Sequence, residues 1–209
     1  MPESAPRTRP TVLAVWLVLA GVIGWWAAFS LTMEKLQHLA DPDRSASCDF
    51  SVLVQCSANL DSWQGSIFGF PNPILGLTGW VAPIVVGMAI LAGARFARWF
   101  WWLFWLGIAF AFGFVVWLIS QSIYAPNLHT LCPWCMVTWA VTIPTFYALT
   151  LHLLRSGQVP VSAGVRRGAD RLMAWVPLAA ILSFALILLL AQIEMNAIVN
   201  IWETFFGRG

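Results

Sequence analysis

Residues 99–123 read WFWWLFWLGIAFAFGFVVWLISQSI, a run without one charged side chain. As a helix rising about 1.5 Å per residue, it is long enough to cross the roughly 30 Å hydrocarbon core of a bilayer. Four further stretches share the character: Val12–Met33, Pro73–Ala94, Cys132–Leu154 and Leu172–Ile193. None alternates apolar and polar residues with period 2. A β-barrel is therefore excluded, and backbone exposed to lipid has to be helical. Pro83 and Pro144 fall inside two of the spans, where mild kinks are expected.

The whole chain agrees with this reading. Of 209 residues, 60% are hydrophobic and only 10% charged, with a mean hydropathy of +0.78. Soluble domains carry about 25% charged residues, so a soluble enzyme, a coiled coil and a disordered chain are excluded. A net charge of +2 is too dilute for nucleic-acid binding. The first span follows Arg7 and Arg9, but its apolar run far exceeds the roughly 7–15 residues of a signal peptide, so it is expected to stay in the bilayer.

Basic residues give the expected orientation. Arg7, Arg9, Arg95, Arg98, Arg155, Arg166, Arg167 and Arg171 fall on one side, against Lys35, Arg44 and Arg208 on the other. By the positive-inside rule, the N-terminus is cytoplasmic and the C-terminus extracytoplasmic, in a plasma (inner) membrane. Trp99, Trp101 and Trp102, just after Arg98, read as an aromatic belt at the cytoplasmic interface. The one long connection, residues 34–72, starts as a polar extension of the first helix and breaks at Asp41-Pro42-Asp43. Its part Leu60–Phe70 mixes apolar and polar residues in the manner of a lid lying on the membrane surface.

All four cysteines, Cys48, Cys56, Cys132 and Cys135, fall on the extracytoplasmic side of this arrangement. That distribution points to disulfide chemistry in an oxidising compartment. Cys132-Pro133-Trp134-Cys135 opens a helix, with proline at its favoured first position. The free amides and dipole of a helix N-terminus favour a thiolate there. Residues i and i+3 share a face, so these two sulfurs can bond to each other or act in turn. Cys135 lies about 4.5 Å deeper along the axis, suited to face an apolar electron acceptor in the bundle while Cys132 faces the loop. No metal site is expected, because Cys48 and Cys56 stand too far apart for a zinc knuckle and His129 is the only further ligand nearby. A static staple remains an alternative for the loop cysteines.

Cys48-Asp49, Cys56-Ser57, Ser62, Phe68-Gly69-Phe70-Pro71-Asn72, Gly76 and the late Cys132-x-x-Cys135 together resemble the vitamin K epoxide reductase family over about Val12–Leu154. The resemblance implies an all-α membrane fold: a four-helix bundle around a quinone (menaquinone or ubiquinone), capped by the cysteine loop, with a fifth transmembrane helix outside it. Residues 1–154 would form the catalytic bundle; residues 155–209 would supply a cytoplasmic basic loop, the fifth helix and a short tail. Bacterial members are similar in role to DsbB. They reoxidise a thioredoxin-like, DsbA-type partner and pass the electrons to the membrane quinone pool. With only Glu194–Gly209 after the last span, that partner is expected to be a separate protein.

The same resemblance assigns roles by position. Cys135 matches the cysteine that reacts with quinone, Cys132 its resolving neighbour, Cys56 the loop cysteine that exchanges with Cys132, and Cys48 the one that meets the partner. Asn72 matches a residue that hydrogen-bonds a quinone carbonyl, although Asn72-Pro73 also reads as a helix cap. Ser62 aligns with a loop Ser/Thr of the family. Trp139 stands where some members have a tyrosine that binds the other carbonyl, and an indole can donate but not accept. Two other readings are compatible with the pattern: a reductase acting on quinone or vitamin K epoxide for its own sake, and a non-enzymatic membrane protein with structural disulfides. The near absence of ionisable residues within the spans argues against a transporter.

Overall fold

The computed structural model describes residues 10–196 together with Val199, Trp202, Phe206 and Gly207; Arg7, Arg9 and Arg208, which enter the orientation count, lie outside the described residues. Eight α-helices are present among them: α1 (Thr11–Ala40), α2 (Ser57–Asp61), α3 (Pro73–Gly79), α4 (Val81–Leu91), α5 (Arg98–Tyr124), α6 (Pro133–Arg155), α7 (Ala163–Met173) and α8 (Val176–Met195). Five spans are long and apolar enough to cross a membrane, with α3 and α4 counting together as one. This is the multi-pass all-α architecture expected from the apolar runs.

Three details depart from the expectation, each for a local reason. The second span is interrupted at Trp80 rather than mildly kinked at Pro83. Pro83 has no N–H to give to the carbonyl of Gly79 one turn back, so the helical ladder is broken just before it. The basic connection after α6 is not a loop throughout, because it contains α7. The Ser162 side chain caps that helix by accepting from the Val165 N–H. Finally, the tryptophan run is not wholly interfacial: Trp99 and Trp102 are exposed, whereas Trp101 is buried against Phe104 and the ring of His152.

α1, α4, α5 and α6 meet in a core built on Leu17, Ile90, Trp101, Phe104 and Leu149 at the end away from the cysteines. α8 packs outside this group, against α5 and α6, through Ile119, Ile143 and Ala191. At the opposite end the four cysteines join Leu31, Ala46 and Leu60 in a small core of their own.

The crossing of α1 with the second span relies on glycine. A Cβ on Gly24 would lie 2.2 Å from the Trp80 ring, and one on Gly87 only 2.7 Å from the Ala14 carbonyl oxygen. Small residues at such crossings let helix backbones approach in lipid, where no hydrophobic force drives them together. Trp80 can then bury its indole against α1 and form one wall of the cavity described below. Gly24→Ala is expected to lower stability in detergent by about 1–3 kcal/mol through overpacking. Gly113→Ala is the control. Nothing lies within 4 Å of its new Cβ, so it should be neutral or stabilise by up to about 1 kcal/mol. Equal effects of the two substitutions in denaturant titration would contradict the close crossing.

Candidate functional site

The connection after α1 folds back over the outer ends of α5 and α6 through many polar anchors. Glu34 accepts from the Ser47 hydroxyl and backbone N–H. Lys35 and His38 reach Asp61 at 2.8 and 3.2 Å. The Asn59 side-chain amide donates to Thr130 at 2.8 Å, and its Oδ1 accepts from the Ser122 hydroxyl at 3.4 Å. A short parallel β-bridge forms where the Leu131 N–H donates to Leu53 (2.7 Å) and the Gln55 N–H donates to Leu131 (3.2 Å). Cys56 follows Gln55 directly and Cys132 follows Leu131. The bridge thus sets the register of two cysteines that are 76 residues apart in sequence.

Cys48 and Cys56 form a disulfide, while Cys132 and Cys135 are free thiols. The Sγ of Cys132 lies 3.5 Å from the Sγ of Cys56. Cys132 is also the residue before α6, with Pro133 at the first helical position, and its sulfur accepts the Cys135 N–H at 3.4 Å. Cys48 is only 4% exposed and Cys56 and Cys132 are 0% exposed, so an aqueous partner has no direct route to the loop disulfide in this conformation. Beside it, the tip of the Phe50–Val54 turn is open, with Val52 at 88% exposure.

Asp49 organises the disulfide's surroundings, a role the sequence reading did not assign. One carboxylate oxygen accepts from the backbone N–H groups of Cys56 (2.7 Å) and Ser57 (3.1 Å). The other accepts from the Ser57 hydroxyl (2.5 Å) and the Ala46 N–H (3.2 Å). Partial burial works against the charge, yet hydrogen bonds from the Ser57 hydroxyl and the backbone of Ser57, Cys56 and Ala46 outweigh it and hold the carboxyl below its usual 3.8. The signal was present as an aspartate beside one cysteine and a serine just after the other.

Cys135 lies on the wall of a cavity of about 610 Å³ between α1, α3–α4, α5 and α6. Its deep part is apolar, with Trp80, Phe104, Ile108 and Val115; its polar end has Asn59, Ser62, Gln64 and Asn72. Gln64, on the short 3₁₀ turn Trp63–Ser66, is 1% exposed and faces the amides of Gln121 and Asn127 at 3.4 Å. Within the amphipathic Leu60–Phe70 segment it is the polar Gln64 that is buried, while Trp63 and Phe68 are exposed.

Asn72 does not cap α3. Its backbone is already helical, and its side-chain amide donates to the Gln64 carbonyl at 2.6 Å. Its Oδ1 is buried without a partner. The Ser62 hydroxyl donates to the Asn59 carbonyl (2.8 Å) and accepts the Gly65 N–H (3.1 Å), so it shapes the 3₁₀ turn and has no hydrogen left to offer a ligand. Trp139 is buried one turn below Cys135 and also lines the cavity. His129 is exposed, in a left-handed turn with φ 41°.

The folded Asp49 carboxyl ionises more readily than in an open chain. Its grip on the loop is therefore complete above pH 3.8 and is lost as pH falls through its lower folded value. Asp49→Asn keeps one acceptor and loses the other. At neutral pH it should open the Cys48–Cys56 disulfide to a phosphine reductant several-fold faster than wild type, and the gap should close in strong acid. Equal rates at neutral pH would rule out the clamp.

The family model of the vitamin K epoxide reductase family matches residues 15–150, which include most of α1, all of α2 to α5, most of α6 and all four cysteines. No curated protein matches the chain. With about two thirds of its length under that match, the chain belongs to the vitamin K epoxide reductase family, whose members are membrane redox proteins.

Proposed function

We propose that the chain is a quinone-linked thiol oxidoreductase that reoxidises a separate thioredoxin-like, DsbA-type protein for disulfide bond formation. One observation carries the reading. A disulfide, a neighbouring thiol 3.5 Å away and a second thiol on the wall of an apolar cavity form one unbroken path. In the orientation expected from the arginines, the loop and its disulfide face the extracytoplasmic side of the plasma membrane, where such a partner would be met.

The cavity suits a quinone. Its volume of about 610 Å³ is within the roughly 300–1,000 Å³ of small-molecule sites. The unpartnered Oδ1 of Asn72 leaves one buried acceptor at the polar end, fitted to a hydroxyl of the reduced ligand, and the apolar depth would take a ring and chain. Trp139 would pack against the ring. A bound quinone would supply two-electron oxidising power.

The chain's own residues then perform two exchanges. A partner thiolate attacks the Cys48–Cys56 disulfide, forming a mixed disulfide and releasing one loop sulfur as thiolate. The partner's second thiolate resolves it, so the partner leaves oxidised and the loop pair holds two electrons and two protons. Cys56 then attacks Cys132 of a Cys132–Cys135 disulfide, displacing Cys135. Cys48 reforms its bond to Cys56, leaving Cys132 and Cys135 as thiols. That product state is the arrangement seen here. From it the inner pair gives up two electrons and two protons at the cavity wall and closes its disulfide again. Each exchange needs an in-line, accessible thiolate, so the buried loop disulfide must first be uncovered by release of the contacts to Glu34, Lys35 and His38.

Two substitution sets test the path. Cys135→Ala should lose quinone reduction by several orders of magnitude, as expected when a reacting nucleophile is removed. Cys48→Ser, which keeps the inner pair but lacks the thiol that resolves the second exchange, should instead accumulate a Cys56–Cys132 disulfide, visible in non-reducing peptide mass spectra. Cys132→Ser should lose the same activity without that cross-link. Near wild-type quinone reduction by Cys135→Ala would sink the proposal.

Asn72→Ala should slow quinone reduction by about 2- to 12-fold, the equivalent of one net hydrogen bond of about 0.5–1.5 kcal/mol. Exchange between the partner and the loop disulfide should stay at the wild-type rate. If both fall together, Asn72 serves only to hold the loop on α3.

A further inference from the structure

The end of the molecule away from the cysteines carries a second constellation, largely beyond the family match. Among the described residues it gathers Arg95, Arg98, Arg155, Arg166, Arg167 and Arg171 with a single carboxylate, Asp170. Several of these charges are already engaged. Arg98 donates to the Gln158 carbonyl at 3.1 Å, Arg155 pairs with Asp170 at 3.5 Å, and the Arg166 guanidinium packs over Gly157. Arg167 only returns its Nε to Ala163 on its own helix, at 3.4 Å, and Arg171 makes no hydrogen bond or ion pair among the described residues. Four residues apart on α7, these two project from the same face.

An adjoining flank of α7 is apolar and outward: Val165 and Leu172 are 46% and 55% exposed, and Trp175, just past the end of the helix, is 59% exposed. A short helix with a basic face and an apolar face, attached to membrane-spanning neighbours, has the make-up of an element lying in the headgroup layer. Leu172 and Trp175 also wall a groove of about 260 Å³ between α6 and α8, with Phe146, Tyr147, Leu151 and Ala179 on its other sides. Arg171 immediately precedes Leu172, so an unpaired guanidinium stands next in sequence to a residue of the apolar groove.

We propose that α7 and the α6–α8 groove form a binding site for one anionic glycerophospholipid. Arg167 and Arg171 take the phosphate-bearing headgroup, and the groove takes an acyl chain. Charge complementarity selects an anionic lipid over a zwitterionic one, since the patch has an excess of cations and its one carboxylate, Asp170, is already paired with Arg155. The site is separate from the cysteines and does not depend on the redox reading.

The test uses the full chain in nanodiscs of equimolar phosphatidylglycerol and phosphatidylcholine, re-extracted in mild detergent, with retained lipid counted by mass spectrometry. One basic residue at an anionic surface is worth about a fivefold change in binding. Wild type should therefore retain phosphatidylglycerol over phosphatidylcholine by about tenfold or more. The Arg167→Gln, Arg171→Gln double variant should fall to near parity. The Arg167→Lys, Arg171→Lys pair should keep most of the preference, which separates charge from damage to the fold. Ala179→Leu, which fills the groove, should lower retention of both lipids. Parity in wild type, a preference that survives the glutamine pair, or retention unchanged by Ala179→Leu would each overturn the proposal.

Discussion

Two backbone hydrogen bonds fix the chemistry of this molecule. They tie Leu53 and Gln55 to Leu131, and each partner segment runs directly into a cysteine. Without that bridge, Cys56 belongs to a long polar connection and Cys132 to the mouth of a helix, joined only through side-chain contacts such as Asn59 to Thr130. With it, the sulfurs stand 3.5 Å apart. The other anchors of the loop are mostly exposed or half-buried pairs, worth about 0–1 kcal/mol each. Their sum holds the loop closed, but no single one locks it. Such a cover excludes water from the thiols and can still be lifted by a partner that replaces its contacts.

The cavity follows from how the helices share their surfaces. α4 is drawn close to α1 at Gly21, Gly24 and Gly87, and α5 packs on α6 and α8. The second span and α5 are therefore pulled toward different neighbours, and the space left between them is walled by Trp80 on one side and Phe104 and Ile108 on the other. Cys135 opens onto that space because it sits one turn into α6, whereas Cys132, before the first turn, stays with the loop. A single C-x-x-C at a helix start thus presents one sulfur to an aqueous-side disulfide and the other to an apolar chamber.

The five spans were legible because lipid imposes one rule on long apolar runs, and the family could be read from the order of cysteines and the Phe-Gly element between them. What stayed hidden has identifiable physical causes. Nothing local marks Gln64 for burial, which the amides of Gln121 and Asn127, 57 and 63 residues away, make tolerable. Asn72 before Pro73 had the pattern of a cap, but its amide is drawn to the Gln64 carbonyl by the folded loop. α7 was taken for a loop because its residues are too polar for a span, and hydropathy alone does not detect a helix at an interface. For Gln64 a contact distant in sequence overrode the local pattern, for Asn72 one eight residues back, and for α7 the pattern itself was the wrong one to read.

The contact between Cys56 and Cys132 has no preferred direction of its own. Exchange between them breaks one S–S bond and makes another, so the inner pair can be oxidised at the expense of the loop pair or the reverse. Direction comes from what couples to each end: about 30 mV between two-electron couples corresponds to 1.4 kcal/mol, a tenfold bias. The protein's contribution is to keep the two ends apart. Under the proposed function, Asp49 and the loop anchors would restrict the loop side to a partner able to open them, while the apolar walls around Cys135 would restrict the other side to a membrane-soluble oxidant. A small water-soluble thiol would then short-circuit that path only by opening the loop, which would tie the specificity of electron flow to the same hydrogen bonds that hold the sulfurs in register.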